Sequence, residues 1–138
     1  MKMIHFIIAF VIAVAVSSSG RAGEEIDTLP AQSAAVAWLL VVDAGHYGQS
    51  WDEAAAFFQK ALTRPDWEKA LVAARSPLGP ALSRKVRAVT YTRNLPNAPE
   101  GEYVVIQYDT HFENRGAIET VVPMREKDGW KVSGYFVR

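Results

Sequence analysis

The spacing of apolar and polar residues divides the chain into a helical first half and a stranded second half. Residues 31–44 read AQSAAVAWLLVVDA, apolar except for Gln32, Ser33 and Asp43. Such a run has little solvated surface, so it predicts a central helix, with Pro30 in its first turn and Gly45 at its end. Ser50-Trp51-Asp52-Glu53 has the form of a capping box, in which the Ser50 hydroxyl accepts from the Glu53 amide and the Glu53 carboxylate reaches back. Behind it, Ala54, Phe57, Phe58, Ala61 and Leu62 recur at helical spacing opposite Asp52, Glu53, Gln59 and Lys60, which predicts a second helix. Thr63 is placed to cap a third, with Pro65 in the first turn and Asp66 near the positive end of the dipole. Trp67, Ala70, Leu71 and Ala74 form its core-facing stripe, and Pro77 and Pro80 forbid its continuation.

The period then shortens to two. Val86, Ala88 and Thr90 alternate with Arg87, Val89 and Tyr91, predicting a first strand over residues 83–93, before a proline-rich loop at 94–99. Residues 101–138 read as three more antiparallel strands joined by two glycine turns, and the turn type sets the register. A three-residue Lys127-Asp128-Gly129 loop pairs Met124 with Val132, Val122 with Gly134 and Thr120 with Phe136. The same kind of loop at Asn114-Arg115-Gly116 pairs Phe112 with Ile118, Thr110 with Thr120, Tyr108 with Val122 and Ile106 with Met124. In that register Ile106, Tyr108, Phe112, Ile118, Val122, Met124, Trp130, Val132 and Phe136 face the helices. The other face carries Val105, Gln107, Asp109, His111, Glu119, Val121, Arg125, Lys131, Ser133 and Tyr135. The expected fold class is α+β: three N-terminal helices packed on one face of a curved four-stranded antiparallel sheet.

The first residues add a compartment. Lys2 precedes an apolar run at 4–16, broken only by His5, and Gly20-Arg21-Ala22 offers the small residues that signal peptidase reads. The run falls short of the roughly twenty residues a permanent span needs. The expectation is a cleaved signal peptide at residues 1–22, a flexible leader at 23–29 and a single domain at 30–138, in the periplasm or secreted. An uncleaved anchor is the competing reading. With no cysteine, the chain has no disulfides, thiolate metal sites or thiol nucleophiles. Basic and acidic residues balance at 15 each in 138 residues, so nothing marks a nucleic-acid surface. Removing residues 1–22 takes away Lys2 and Arg21 and no acid, which leaves a mildly acidic mature chain.

Candidate chemistry is sparse. The three histidines have no metal-ligand spacing, and no phosphate loop or nucleophile elbow is present, so neither a metal nor a cofactor is implied. The expected register sets His111 across from Glu119, with Asp109 two residues away, and these three are the candidates for acid/base work. The alternative is a solvated cross-strand pair. Tyr47, Trp51, Trp67, Arg84 and Tyr108 are the candidates for a ligand pocket, with Trp51 capping its mouth beside Tyr47 and Arg84. Core packing is the alternative for the aromatics. Arg75 and Arg84 suit a carboxylate ligand, and equally Asp43 or Asp66.

The run from Trp38-Leu39-Leu40 through Gly45-His46-Tyr47-Gly48-Gln49-Ser50-Trp51, with Trp67, Arg75-Ser76-Pro77-Leu78-Gly79, Arg84 and Gly129-Trp130-Lys131-Val132-Ser133-Gly134-Tyr135, resembles the exported bacterial domain of unknown function 4019. The helical part also resembles the nuclear transport factor 2-like (cystatin-like) superfamily. That second resemblance implies a cone-like α+β fold with a long first helix lying in a curved sheet, and in several members a ligand or active site in the concavity. Neither resemblance supplies a reaction. Two functional classes follow. One is an exported non-catalytic module that binds a small molecule or a protein, or pairs with its own copy through the outer sheet face. The other is a cone-fold hydrolase or isomerase using His111 with Glu119 or Asp109.

Overall fold

The computed structural model describes residues 26–138. The expected signal peptide, its cleavage site and the start of the leader lie outside the described residues. Four helices come first: α1 (Leu29–Asp43), α2 (Tyr47–Asp52), α3 (Ala56–Ala61) and α4 (Arg64–Arg75). Four strands follow, β1 (Ala81–Thr92), β2 (Tyr103–Phe112), β3 (Gly116–Glu126) and β4 (Gly129–Val137). They form an open antiparallel sheet in the order β1-β2-β3-β4.

Helix α1 buries Ala31, Ala35, Trp38, Leu39 and Val42, a stripe at helical spacing, against the sheet. It is less enclosed than its composition predicts, because Val36 and Leu40 on another side stay more than half exposed. Gly45 ends it with φ +79°. The amide of His46 donates to Val41 O and that of Gly45 to Val42 O, the pairing of a Schellman motif, which satisfies carbonyls the helix leaves open.

The expected second helix is two short helices. Ala55 is extended, and its amide leaves the helical path to donate to Val132 O on β4 at 2.8 Å. That long-range bond breaks the run between α2 and α3, so the described residues form four helices rather than the expected three. Ser50 is not the cap. It lies inside α2, fully buried, where its hydroxyl donates to Tyr47 O and accepts from Trp67 Nε1. Thr63 does cap α4, accepting from the Asp66 amide at 3.3 Å.

The β2–β3 register differs from the expected one. Phe112 N donates to Arg115 O, so the turn is the two-residue Glu113-Asn114 rather than Asn114-Arg115-Gly116. Tyr108 therefore faces Glu119 instead of Val122, a slip of three residues that inverts β3. The cause is tertiary: the Glu113 amide donates to Pro80 O and the Asn114 amide to Leu78 O, while Asn114 Nδ2 donates to Pro77 O. The connection between α4 and β1 thus holds the turn. On β4, Val122–Gly134 and Thr120–Phe136 pair as expected, but a bulge between Val122 and Pro123 moves Val132 opposite Pro123 and leaves Lys127-Asp128 as the loop.

Two apolar clusters result. On the helix side, Val104, Ile106, Tyr108, Val121, Val132 and Tyr135 join α1 and α4. On the other side, Tyr103, Val105 and Val122 lie beneath Leu95 and Ala98 of the β1–β2 loop, with Met124 and Phe136 beside them. Val122, Met124 and Phe136 thus leave the expected helix-facing set, whereas Glu119, Val121 and Tyr135 enter it.

Candidate functional site

The inversion of β3 carries a carboxylate into the core. Glu119 is 0% exposed and is held by three donors: Arg84 Nε at 2.7 Å, Thr110 Oγ1 at 2.5 Å, and the Tyr135 hydroxyl through a short hydrogen bond. Arg75, at the end of α4, reaches Asp43 at 2.8 Å, donates to Tyr135 Oη at 3.2 Å and lies 3.7 Å from Glu119. Arg84, on β1, spans both acids, meeting the Asp43 carboxylate with two nitrogens at 2.8 and 3.0 Å. Two cations and two anions therefore close on one another at the point where α1, α4, β1, β3 and β4 converge. The guanidinium of Arg75 rests over the Phe112 ring at 4.9 Å, and that of Arg84 over Tyr108 at 6.0 Å.

Burial pushes the Asp43 carboxyl upward, but hydrogen bonds from Arg84 and Arg75 outweigh it and hold the group below the usual carboxylate range. Burial likewise opposes the charge on both arginines. For Arg84, hydrogen bonds to Asp43 and Glu119 more than compensate and raise it; for Arg75, the hydrogen bonds to Asp43 and to the Tyr135 hydroxyl, with the Asp43 charge, do the same. Burial and the neighbouring Glu119 charge drive the Tyr135 phenol far up, so it keeps its proton. The cluster balances two cations against two anions, and each carboxylate accepts from at least two side chains. Arg75 Nε is the exception among buried side-chain atoms of the described residues, with no hydrogen-bond partner.

Tyr135 also belongs to a second feature. Its ring forms part of the wall of an apolar cavity of about 710 Å³ that lies between α3, α4, the β4 edge and the β1–β2 loop. Phe58 meets Trp67 edge-to-face at 4.8 Å, and Trp67 meets Tyr135 at 6.5 Å and 87°, so the wall is a chain of interlocked rings. The α4 stripe is split between two tasks. Trp67 and Leu71 are buried, whereas Ala70 and Ala74, too small to fill the space above them, open onto the cavity.

Polar side chains in this lining are occupied elsewhere. Trp67 Nε1 donates to Ser50 Oγ, Tyr103 Oη to Pro99 O, Ser133 Oγ to Val122 O and Tyr135 Oη to Glu119. Among the described residues, only Asn97, exposed in the loop with φ +60°, adds an amide, and no charged side chain lines the cavity. Such a volume and lining suit the transfer of apolar surface out of water.

Of the five expected ligand residues, Trp67 lines the cavity. Arg84 and Tyr108 meet each other at the ionic cluster. Tyr47 and Trp51 pack at the edge of the core, and Trp51 Nε1 donates to Leu62 O at 2.7 Å. The expected acid/base set is not brought together. His111 is exposed and pairs with Gly116, Asp109 is engaged by Arg87 at 3.0 Å, and Glu119 points to the opposite side of the sheet. The role of Tyr135 escapes sequence reasoning, since it depends on the inverted register. A signal was present: Arg75 and Arg84 flank a turn that contains no acid, so their partners had to come from distant elements.

Fold and site define the class as an α+β domain, its helices against an open four-stranded meander, with an apolar cavity at the sheet edge. The chain belongs to the family described as protein of unknown function (DUF4019), whose profile matches residues 34–135. That span runs from the middle of α1 to Tyr135, and so takes in all four residues of the ionic cluster. No curated protein and no solved structure matches the chain.

Proposed function

We propose that this protein is an exported, non-catalytic binding module whose site is the cavity between α3, α4 and the edge of β4. The observation that carries the reading is a 710 Å³ space walled by aromatic rings whose polar atoms are all engaged within the protein. Export rests on the basic, apolar and small-residue pattern of residues 1–22. Among the described residues no helix is long and apolar enough to cross a membrane. The cone shape implied by the nuclear transport factor 2-like resemblance belongs to the same proposal, supported by the lie of α1 across one sheet face and by three irregularities that bend the strands.

A screen of small apolar compounds by thermal unfolding tests the reading. Bound compounds raise the Tm of the purified protein, and Ala74→Phe, which places a ring in the cavity, removes the shift. A shift that persists in the variant, or none with any compound, contradicts the assignment. Export predicts that the mature protein begins at Gly23 on N-terminal sequencing; a chain that keeps Met1 contradicts it.

A further inference from the structure

Resting on the cavity-binding reading, we infer that the ligand is a single flexible hydrocarbon chain, recognised along its length, with its head group left outside. Two independent observations carry this. The first is chemical: no charged side chain of the described residues lines the cavity, and the hydroxyls and indole of its wall are committed to Ser50, Glu119, Pro99 and Val122. A carboxylate or phosphate buried there would lose its water and meet, among the described residues, no charged side chain and only the Asn97 amide at the exposed loop, whereas methylene groups gain from every contact.

The second observation is shape. The lining includes Tyr135 and Val137, on the helix-facing side of β4, and also Val122 and Gly134, which belong to the other side. The space therefore bends around the edge of a strand. A fused planar ring system cannot follow such a course, whereas a chain with free torsions can. Ala70 and Ala74 add a smooth floor without protruding side chains.

The test uses the tryptophan emission of the purified protein, because Trp67 is in the wall and a bromine atom quenches indole on contact. Bromododecanoic acid and its methyl ester are titrated into wild type and Ala70→Phe, and naphthalene is screened in parallel by thermal unfolding. Saturable quenching by acid and ester with midpoints within about twofold, weakened roughly tenfold for both in Ala70→Phe, is the expected result. Binding of the acid alone, or quenching unaffected by Ala70→Phe, overturns the inference. If naphthalene stabilises the wild type and the chains leave the emission unchanged, the chain assignment fails while the cavity still binds ligands. If neither chains nor naphthalene bind, both readings fall.

Discussion

Asp43 accepts from two arginines far from it in sequence, Arg75 from α4 and Arg84 from β1, and so ties the end of α1 to both. Its carboxyl is depressed in the folded protein, and the stabilisation it provides is fully present above its unfolded value of about 4 and is lost as pH falls through the lower folded value. Asp43→Asn is expected to cost roughly 2 kcal/mol at neutral pH, below the usual penalty for a broken buried pair because 23% of the side chain remains exposed. Urea unfolding at several pH values checks this. The gap between wild type and variant should narrow once the pH drops below about 4, and a gap that is constant with pH contradicts an electrostatic origin. The arginines were legible as residues seeking acids, with Asp43 among the named partners. Glu119 was not, because its placement depends on a strand register that no neighbouring residue specifies.

The elements show where local rules suffice. Gly45, Thr63 and the two prolines after α4 punctuate the helices as their chemistry requires, since a cap or a stop is decided within one turn of chain. The division of α2 from α3 and the Glu113-Asn114 turn are decided by partners elsewhere, Val132 in one case and residues 77–80 in the other. Gly79 is central to the second. It has φ +75°, and an added Cβ would meet Asn114 Nδ2 and Glu113 Cβ at 3.2 Å. Gly79→Ala therefore combines backbone strain with crowding and is expected to destabilise by about 2 kcal/mol. Gly45→Ala, whose Cβ would enter open space, should cost nearer 1 kcal/mol. Chemical denaturation of both variants, with hydrogen exchange at Asn114, distinguishes them. Equal losses and unchanged Asn114 protection would show that the docked turn contributes nothing.

At the scale of the molecule, the ionic cluster and the cavity share one residue. Tyr135 presents its ring to the cavity while its hydroxyl is held by Glu119, so the buried charges fix the position of an apolar wall. The sequence stripe of Trp67, Ala70, Leu71 and Ala74 already contained one wall of this site, but helical spacing cannot distinguish a face that meets a packed core from one that meets a space. Only the course of the β1–β2 loop and the edge position of β4 make that distinction. The central claim is that the space accepts apolar matter, and the most direct measurement is a crystal structure of the protein under xenon pressure, since xenon enters apolar cavities without needing a polar contact. The account predicts anomalous density bounded by Phe58, Trp67, Leu71 and Tyr135. Crystals that take up xenon elsewhere and show none between these four side chains would contradict it.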